Sequence, residues 1–233
     1  MNPSAYIGRF APSPTGPLHF GSLVCALASF LDARHHQGQW LVRIEDIDPP
    51  REILGATTTI LKQLESHGLL WDGDLLYQSQ RSDAYNAALA QLRSDGLSYN
   101  CDCNRQRVSE LGGIYDGRCH QRHISSDSAI RLRLPEIGTD SIITFDDLIM
   151  GDYRQNLCSQ VGDFVIRRRD RLFSYQLAVT VDDLFQNISH IIRGSDLLDS
   201  TPRQLYLQRC LNTSAEHRPA VQYGHLPLAI NAE

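Results

Sequence analysis

The sequence predicts an α/β protein built on a parallel sheet and split by a smaller, β-rich insertion. Three observations lead there. Between Tyr6 and Glu45 a short strand, a loop, an Ala-rich apolar helix and a second strand follow one another, which is a βαβ unit. Strand and helix signals alternate again from Asp163 onward. Between these stretches, from Ser98 to Val161, the character changes to clustered cysteines, a Gly-Gly pair and short alternating runs.

The 233 residues suit one large domain, or one domain carrying an insertion. With 22 Lys+Arg against 27 Asp+Glu the formal charge is −5, which excludes a uniformly basic surface. A nucleic-acid partner would have to be held by a local cluster of arginines. All but one of the 22 basic residues are Arg, the exception being Lys62, so lysine chemistry rests on that residue or is absent. A composition of 42% hydrophobic and 21% charged residues excludes a disordered or fibrous chain. No apolar run approaches the roughly 20 residues of a membrane span. The longest, Leu18 to Leu31, is broken by His19, Gly21, Ser22 and Ser29 and has no basic region before it, so no membrane partner or export signal is expected. The six cysteines are unevenly spaced and read as reduced cytoplasmic thiols or metal ligands.

Taken in order, Tyr6 to Ala11 reads as a strand that runs into the proline-stiffened loop Pro12 to Pro17. A buried helix is expected from Gly21 to His36 and a strand from Gln39 to Glu45. Helices follow over Ile53 to His67 and Ser82 to Asp95, each closed by a glycine, Gly68 and Gly96. Ala129 to Leu134 alternates as a strand within the insertion. Strands at Asp163 to Arg167 and His190 to Arg193 flank a helix over Tyr175 to Phe185, and a last helix opens at Thr201-Pro202. The expected division is 1–97 and 162–233 as two halves of one α/β domain, with 98–161 inserted.

Four motifs carry chemistry. The junction from Arg9 to Ser22 joins a strand to a helix through a Gly- and Pro-rich turn, where free amides favour a phosphate and His19 can donate to a phosphate oxygen. Arg43-Ile44-Glu45-Asp46-Ile47-Asp48 places carboxylates at the C-terminal end of a strand, where open α/β sheets bind ligands, and a fixed carboxylate there can pair with an ammonium. Tyr175 and Arg193 offer a phenol hydrogen bond and a guanidinium fork suited to a dicarboxylic substrate. Cys101, Cys103 and Cys119 can clamp Zn²⁺, with Tyr115, His120 or His123 closing the tetrahedron. Cys25, Cys158 and Cys210 read as core residues.

The junction resembles the signature of class I aminoacyl-tRNA synthetases of the glutamyl type, RFAPSPTGxLHxG, with His19-Phe20-Gly21-Ser22 in the place of HIGH. The resemblance implies a Rossmann-type parallel sheet with a small zinc-bearing insertion. It implies catalytic roles for His19, Gly21 and Ser22, and a glutamate site made by Arg9, Phe10, Ala11, Pro12, Ser13, Glu45, Tyr175 and Arg193. Glu45 matches the acid that holds the α-amino group. Leu184 and Asn187 stand where the family commonly has His and Gly.

The spacing CxC-x11-Y-x3-C resembles the zinc module of the branch that acts on queuosine in tRNA(Asp), with Cys101, Cys103, Tyr115 and Cys119 as ligands. The cofactors implied are ATP with Mg and one structural Zn. The partners implied are L-glutamate, ATP and tRNA(Asp) bearing queuosine. The alternatives are a fragment of an ordinary glutamyl-tRNA synthetase, or a non-catalytic glutamate- or RNA-binding paralogue. The family's lysine-bearing KMSKS loop follows a segment like His225 to Asn231, so the chain is expected to stop before it.

Overall fold

The computed structural model describes residues 6–125, 127–135, 138, 141–211 and 220–229. The segment Ile230 to Glu233, which bears on the KMSKS expectation, lies outside them. The opening βαβ unit forms as expected: β1 (Ile7–Phe10), α1 (Phe20–His35) and β2 (Gln39–Ile44), with β1 and β2 parallel and Arg9 opposite Leu41. His19 caps α1, its ring accepting from the amide of Ser22, so the helix begins one residue earlier than the pattern suggested. Next come α2 (Ala56–Ser66), the two-residue β3 (Leu76–Tyr77) and α3 (Ser82–Ser94). The first of these starts later than expected, because a 3-10 turn at Pro49–Arg51 and Gly55, with φ +81, occupy the approach. Gly68 and Gly96 close α2 and α3 at φ +71 and +70, a conformation that costs other residues strain.

The middle of the chain supplies β4 (Ser98–Cys101), α4 (Arg105–Glu110), β5 (Ala129–Leu132), the hairpin β6 (Ile142–Asp147) and β7 (Gly151–Asn156), and the single turn α5 (Leu157–Gln160). The last part supplies β8 (Val165–Arg167), α6 (Tyr175–Phe185), β9 (His190–Gly194), α7 (Thr201–Leu211) and β10 (Gln222–Leu226). The strand expected from Asp163 starts at Val165, because the Asp163 carboxylate accepts from the Leu134 amide at 2.8 Å and the Tyr99 hydroxyl at 2.5 Å.

Seven strands form the main sheet in the order β3-β2-β1-β9-β10-β6-β7, parallel except for the β6–β7 hairpin. Three antiparallel strands, β4-β5-β8, form a second sheet. The stretch 98–161 is therefore shared: β6 and β7 extend the main sheet, while β8, from beyond the expected boundary, completes the small one. One apolar cluster joins Leu132 and Ile166 of the small sheet to Ile143 of β6, Leu92 of α3 and Leu177 of α6. Each such buried side chain contributes about 1.5–3 kcal/mol, so the small sheet is packed into the body rather than appended to it. Strand order reverses at β1, with β2 and β3 on one side and β9 and β10 on the other. The C-terminal edge beside such a reversal is where open α/β sheets leave a crevice.

Candidate active site

A cleft of about 650 Å³ opens at that edge. Arg9, Phe10, Ala11, Pro12, Ser13, His19, Gly21, Ser22, Glu45, Tyr175 and Arg193 all border it, so β1 and its loop, α1, the end of β2, α6 and β9 each bring residues to it. The proline loop is laced to its neighbours: the Glu45 amide donates to Pro12 O at 3.0 Å and the Ile53 amide to Pro14 O at 2.9 Å. Gln63 of α2 clamps it from outside, accepting from the Leu18 amide at 2.7 Å and donating to Leu18 O at 3.2 Å. His19 is exposed at the N-terminus of α1, with Ser22 Oγ 3.0 Å from Nε2. A Cβ on Gly21 would sit 3.2 Å from the His19 ring, so glycine there leaves the imidazole room.

Behind the lining lies a buried ion network. Arg9 donates to Asp183 through Nε at 3.2 Å and Nη2 at 3.3 Å, and Arg43 Nη2 lies 2.8 Å from Asp183 Oδ1. Arg43 is fully buried, and its Nη1 donates to Gln186 Oε1 at 2.8 Å. Glu45 Oε1 is 3.5 Å from Arg43 Nη2 yet accepts no hydrogen bond. Burial pushes the Glu45 carboxyl above its ordinary range, and the pull of Arg43 and Arg9 only partly offsets it. For Asp183 burial acts the same way, but Arg43 and Arg9 together outweigh it and hold the carboxyl low. With all four groups ionised the network carries no net formal charge, but the arginines stabilise the two carboxylates unequally, holding Asp183 ionised more firmly than Glu45.

Arg193 is braced on three sides. Nε donates to His225 Nε2 at 3.0 Å, Nη2 to Thr201 Oγ1 at 2.7 Å, and Nη1 reaches the Tyr175 hydroxyl at 3.5 Å. Sequence reasoning did not assign Arg43, Asp183, His225, Thr201 or Asp147. For Asp183 a signal existed: two adjacent acids, Asp182 and Asp183, in an otherwise uncharged helix. Asp182 serves another purpose, accepting from Gln78 at 2.9 Å, Arg81 at 3.1 Å and Tyr85 at 2.6 Å, so it ties α3 to α6.

The thiols of Cys101, Cys103 and Cys119 lie within 4.8 Å of one another, and Cys103 and Cys119 are 3.6 Å apart. The Tyr115 hydroxyl is 3.6 Å from Cys101 Sγ and 3.7 Å from Cys103 Sγ. Zn–S bonds of about 2.3 Å give tetrahedral edges of about 3.8 Å, so the three thiols are close enough to hold one metal ion, with the Tyr115 hydroxyl beside them. His120 turns instead to Asp163, and His123 is exposed, which favours Tyr115 over both. All six cysteines are free thiols. Among the described residues no helix is long and apolar enough to cross a membrane.

An open parallel sheet with a charged cleft at its reversal point is the frame of a class I synthetase catalytic domain. The family of class I tRNA synthetases (E and Q), catalytic domain, matches residues 7–233, and the chain belongs to it. Among its relatives, the glutamyl-Q tRNA(Asp) synthetase of Ectopseudomonas mendocina is 54% identical over 99% of this chain and 76% of that protein. The protein of the same name from Pseudomonas fluorescens is 55% identical over 97% of this chain and 73% of its own length. A crystal structure of a glutamate tRNA ligase from Elizabethkingia meningosepticum in complex with its amino acid superposes with a TM-score of 0.83 at 27% identity, over 97% of this chain and 50% of that one. The glutamate-tRNA synthetase of Elizabethkingia anophelis gives 0.84 at 26%, with this chain spanning 51% of it.

Proposed function

We propose that the protein activates glutamate with ATP and passes the glutamyl group to queuosine in tRNA(Asp), as the names of its relatives suggest. The observation that carries the glutamate half is Glu45: a residue only 7% exposed that borders the cleft, with a carboxylate whose Oε1 faces Arg43 and accepts no hydrogen bond. An α-ammonium group adds the cationic donor that this carboxylate lacks, whereas a ligand without a cation leaves it under-satisfied. Arg9 and Arg193 supply two guanidinium groups for two carboxylates, and Tyr175 adds a phenol between Glu45 and Arg193.

In this reading an oxygen of the glutamate α-carboxylate attacks the α-phosphorus of ATP, accompanied by Mg, and the bond to the β-phosphate breaks to release pyrophosphate. His19 and the amides opening α1 stabilise charge on the phosphoryl oxygens. A hydroxyl of the queuosine cyclopentene ring then attacks the acyl carbon and AMP leaves. No covalent bond to the protein is needed, so catalysis is positioning plus electrostatics. Cys101, Cys103, Cys119 and Tyr115 would hold a structural zinc, which would tie the turn carrying Cys119 to β4. The protein works in the cytoplasm, where its thiols stay reduced.

The test is ATP–pyrophosphate exchange with each of glutamate, glutamine and aspartate, followed by transfer of labelled glutamate to tRNA(Asp) with and without queuosine. Glutamate alone should drive exchange, and only the queuosine-bearing tRNA should be labelled. Exchange supported equally by glutamine would refute the amino-acid assignment, because a pocket of paired charges rejects the amide. Labelling of a tRNA 3′ end would favour the ordinary glutamyl-tRNA synthetase reading.

A further inference from the structure

The bracing of Arg193 continues beyond His225. On the far side of the imidazole, Nδ1 lies 2.5 Å from Asp147 Oδ2, and both residues are buried, at 0% and 2% exposure. Donor and acceptor matching leaves one arrangement. A carboxylate only accepts, so Nδ1 carries the proton; the Arg193 Nε–H only donates, so His225 Nε2 must be bare, and the Thr201 hydroxyl 3.2 Å away, which already accepts from Arg193 Nη2, is left to donate to Nε2 or to Leu197 O. We propose that Asp147 and His225 form a positioning pair for Arg193: the carboxylate selects the Nδ1–H tautomer, and the bare Nε2 then fixes the guanidinium with Nη1 toward Tyr175 and the cleft. This rests on the glutamate pocket proposed above and names what sets its geometry. Burial acts in the same direction by lowering the His225 pKa and keeping the ring neutral.

The other oxygen of Asp147 makes the idea testable. Oδ1 accepts three backbone N–H groups, from His225 at 3.0 Å, Ile149 at 3.1 Å and Met150 at 2.9 Å. In Asp147→Asn those donors hold the amide carbonyl in place, so the NH2 group must face His225. Nδ1 then has to accept, the ring proton moves to Nε2, and it meets the Arg193 Nε–H donor against donor. The side chain keeps its size while the tautomer inverts. Glutamine has no tautomers, so His225→Gln can offer Arg193 its carbonyl whatever stands at position 147.

Two readouts decide the matter. In protein labelled with 15N-histidine, the wild-type His225 ring should show a protonated Nδ1 and a bare Nε2, reversed in Asp147→Asn. Glutamate KM in pyrophosphate exchange should rise about 10-fold or more in Asp147→Asn while the ATP KM stays put, the split expected for lost amino-acid binding. In the His225→Gln background the same substitution should change glutamate KM by less than about 3-fold, the signature of coupled neighbours. Equal losses in both backgrounds would mean that Asp147 merely holds the β6–β7 turn, and the proposal falls. It falls equally if wild-type His225 carries its proton on Nε2, a measurement that needs no variant to fold. A wild-type protein that binds no glutamate would remove the pocket reading alone, and the nitrogen shifts would still support or overturn the pair.

Discussion

Replacing Glu45 with Gln removes one charge from the wall of the cleft and keeps the side chain's shape. Glu45 is 7% exposed and borders the cleft, and its Oε1, 3.5 Å from Arg43 Nη2, accepts no hydrogen bond, so the carboxylate has lone pairs to spare for an incoming ammonium. Glutamine presents either a neutral carbonyl or a repelling NH2 group. A hydrogen bond to a charged partner is worth about 1.5–3 kcal/mol, and each ~1.4 kcal/mol is tenfold in affinity, so glutamate binding should weaken about 10- to 150-fold. ATP affinity should hardly move.

Stability should not follow affinity. Burial raises the folded-state pKa of Glu45 against the pull of Arg43 and Arg9. A raised carboxyl contributes stability below the unfolded value of about 4.3 and loses it as pH rises through the folded value. At pH 7 the ionised side chain is therefore a cost, which glutamine lacks. The variant should melt at the wild-type temperature or above it at pH 7, with the gap narrowing toward pH 5. Titration calorimetry with glutamate, exchange kinetics and thermal melts at both pH values make the test. Wild-type glutamate affinity in Glu45→Gln would refute the ammonium site, and a lower melting temperature with both ligands lost would show that Glu45 serves the fold instead.

Arg193→Lys cannot reach His225, Thr201 and Tyr175 at once, so glutamate KM should rise about 10- to 100-fold, and an unchanged KM would remove Arg193 from the pocket. Protein purified without chelators should carry about one zinc by atomic absorption, and Cys101→Ser should lose it and melt lower; full zinc in that variant would exclude the thiol cluster as the site. Burial pushes the Asp183 carboxyl up, but Arg43 and Arg9 pull harder and hold it low. Its contribution is therefore full above the unfolded value of about 3.9 and lost as pH falls through the folded one. Urea midpoints followed from pH 6 to 2.5 should fall less steeply with acid in Asp183→Asn, which starts from a lower plateau; parallel curves would mean that the Arg9–Asp183–Arg43 network adds nothing to acid sensitivity.

Local features are legible in the order of residues alone. The strand-loop-helix run from Arg9 to Ser22 holds its helix-opening amides, its capping His19 and its glycines within one continuous stretch, so pattern and local geometry could be read together. The same holds for Gly68 and Gly96 at helix ends, and for the CxC, Tyr and Cys spacing that closes one small cluster. Which groups share the dry interior is set by how distant elements pack. Arg9 and Asp183 stand 174 positions apart, and Asp147 and His225 stand 78 apart. Strand order likewise sent β6 and β7 to the main sheet although they lie within the stretch expected to be inserted. The physical reason is desolvation. A charge is tolerated in the interior only when its partner arrives with the packing that excludes water, and that packing is drawn from elements far apart in the chain. Periodicity along the sequence carries no record of such a meeting.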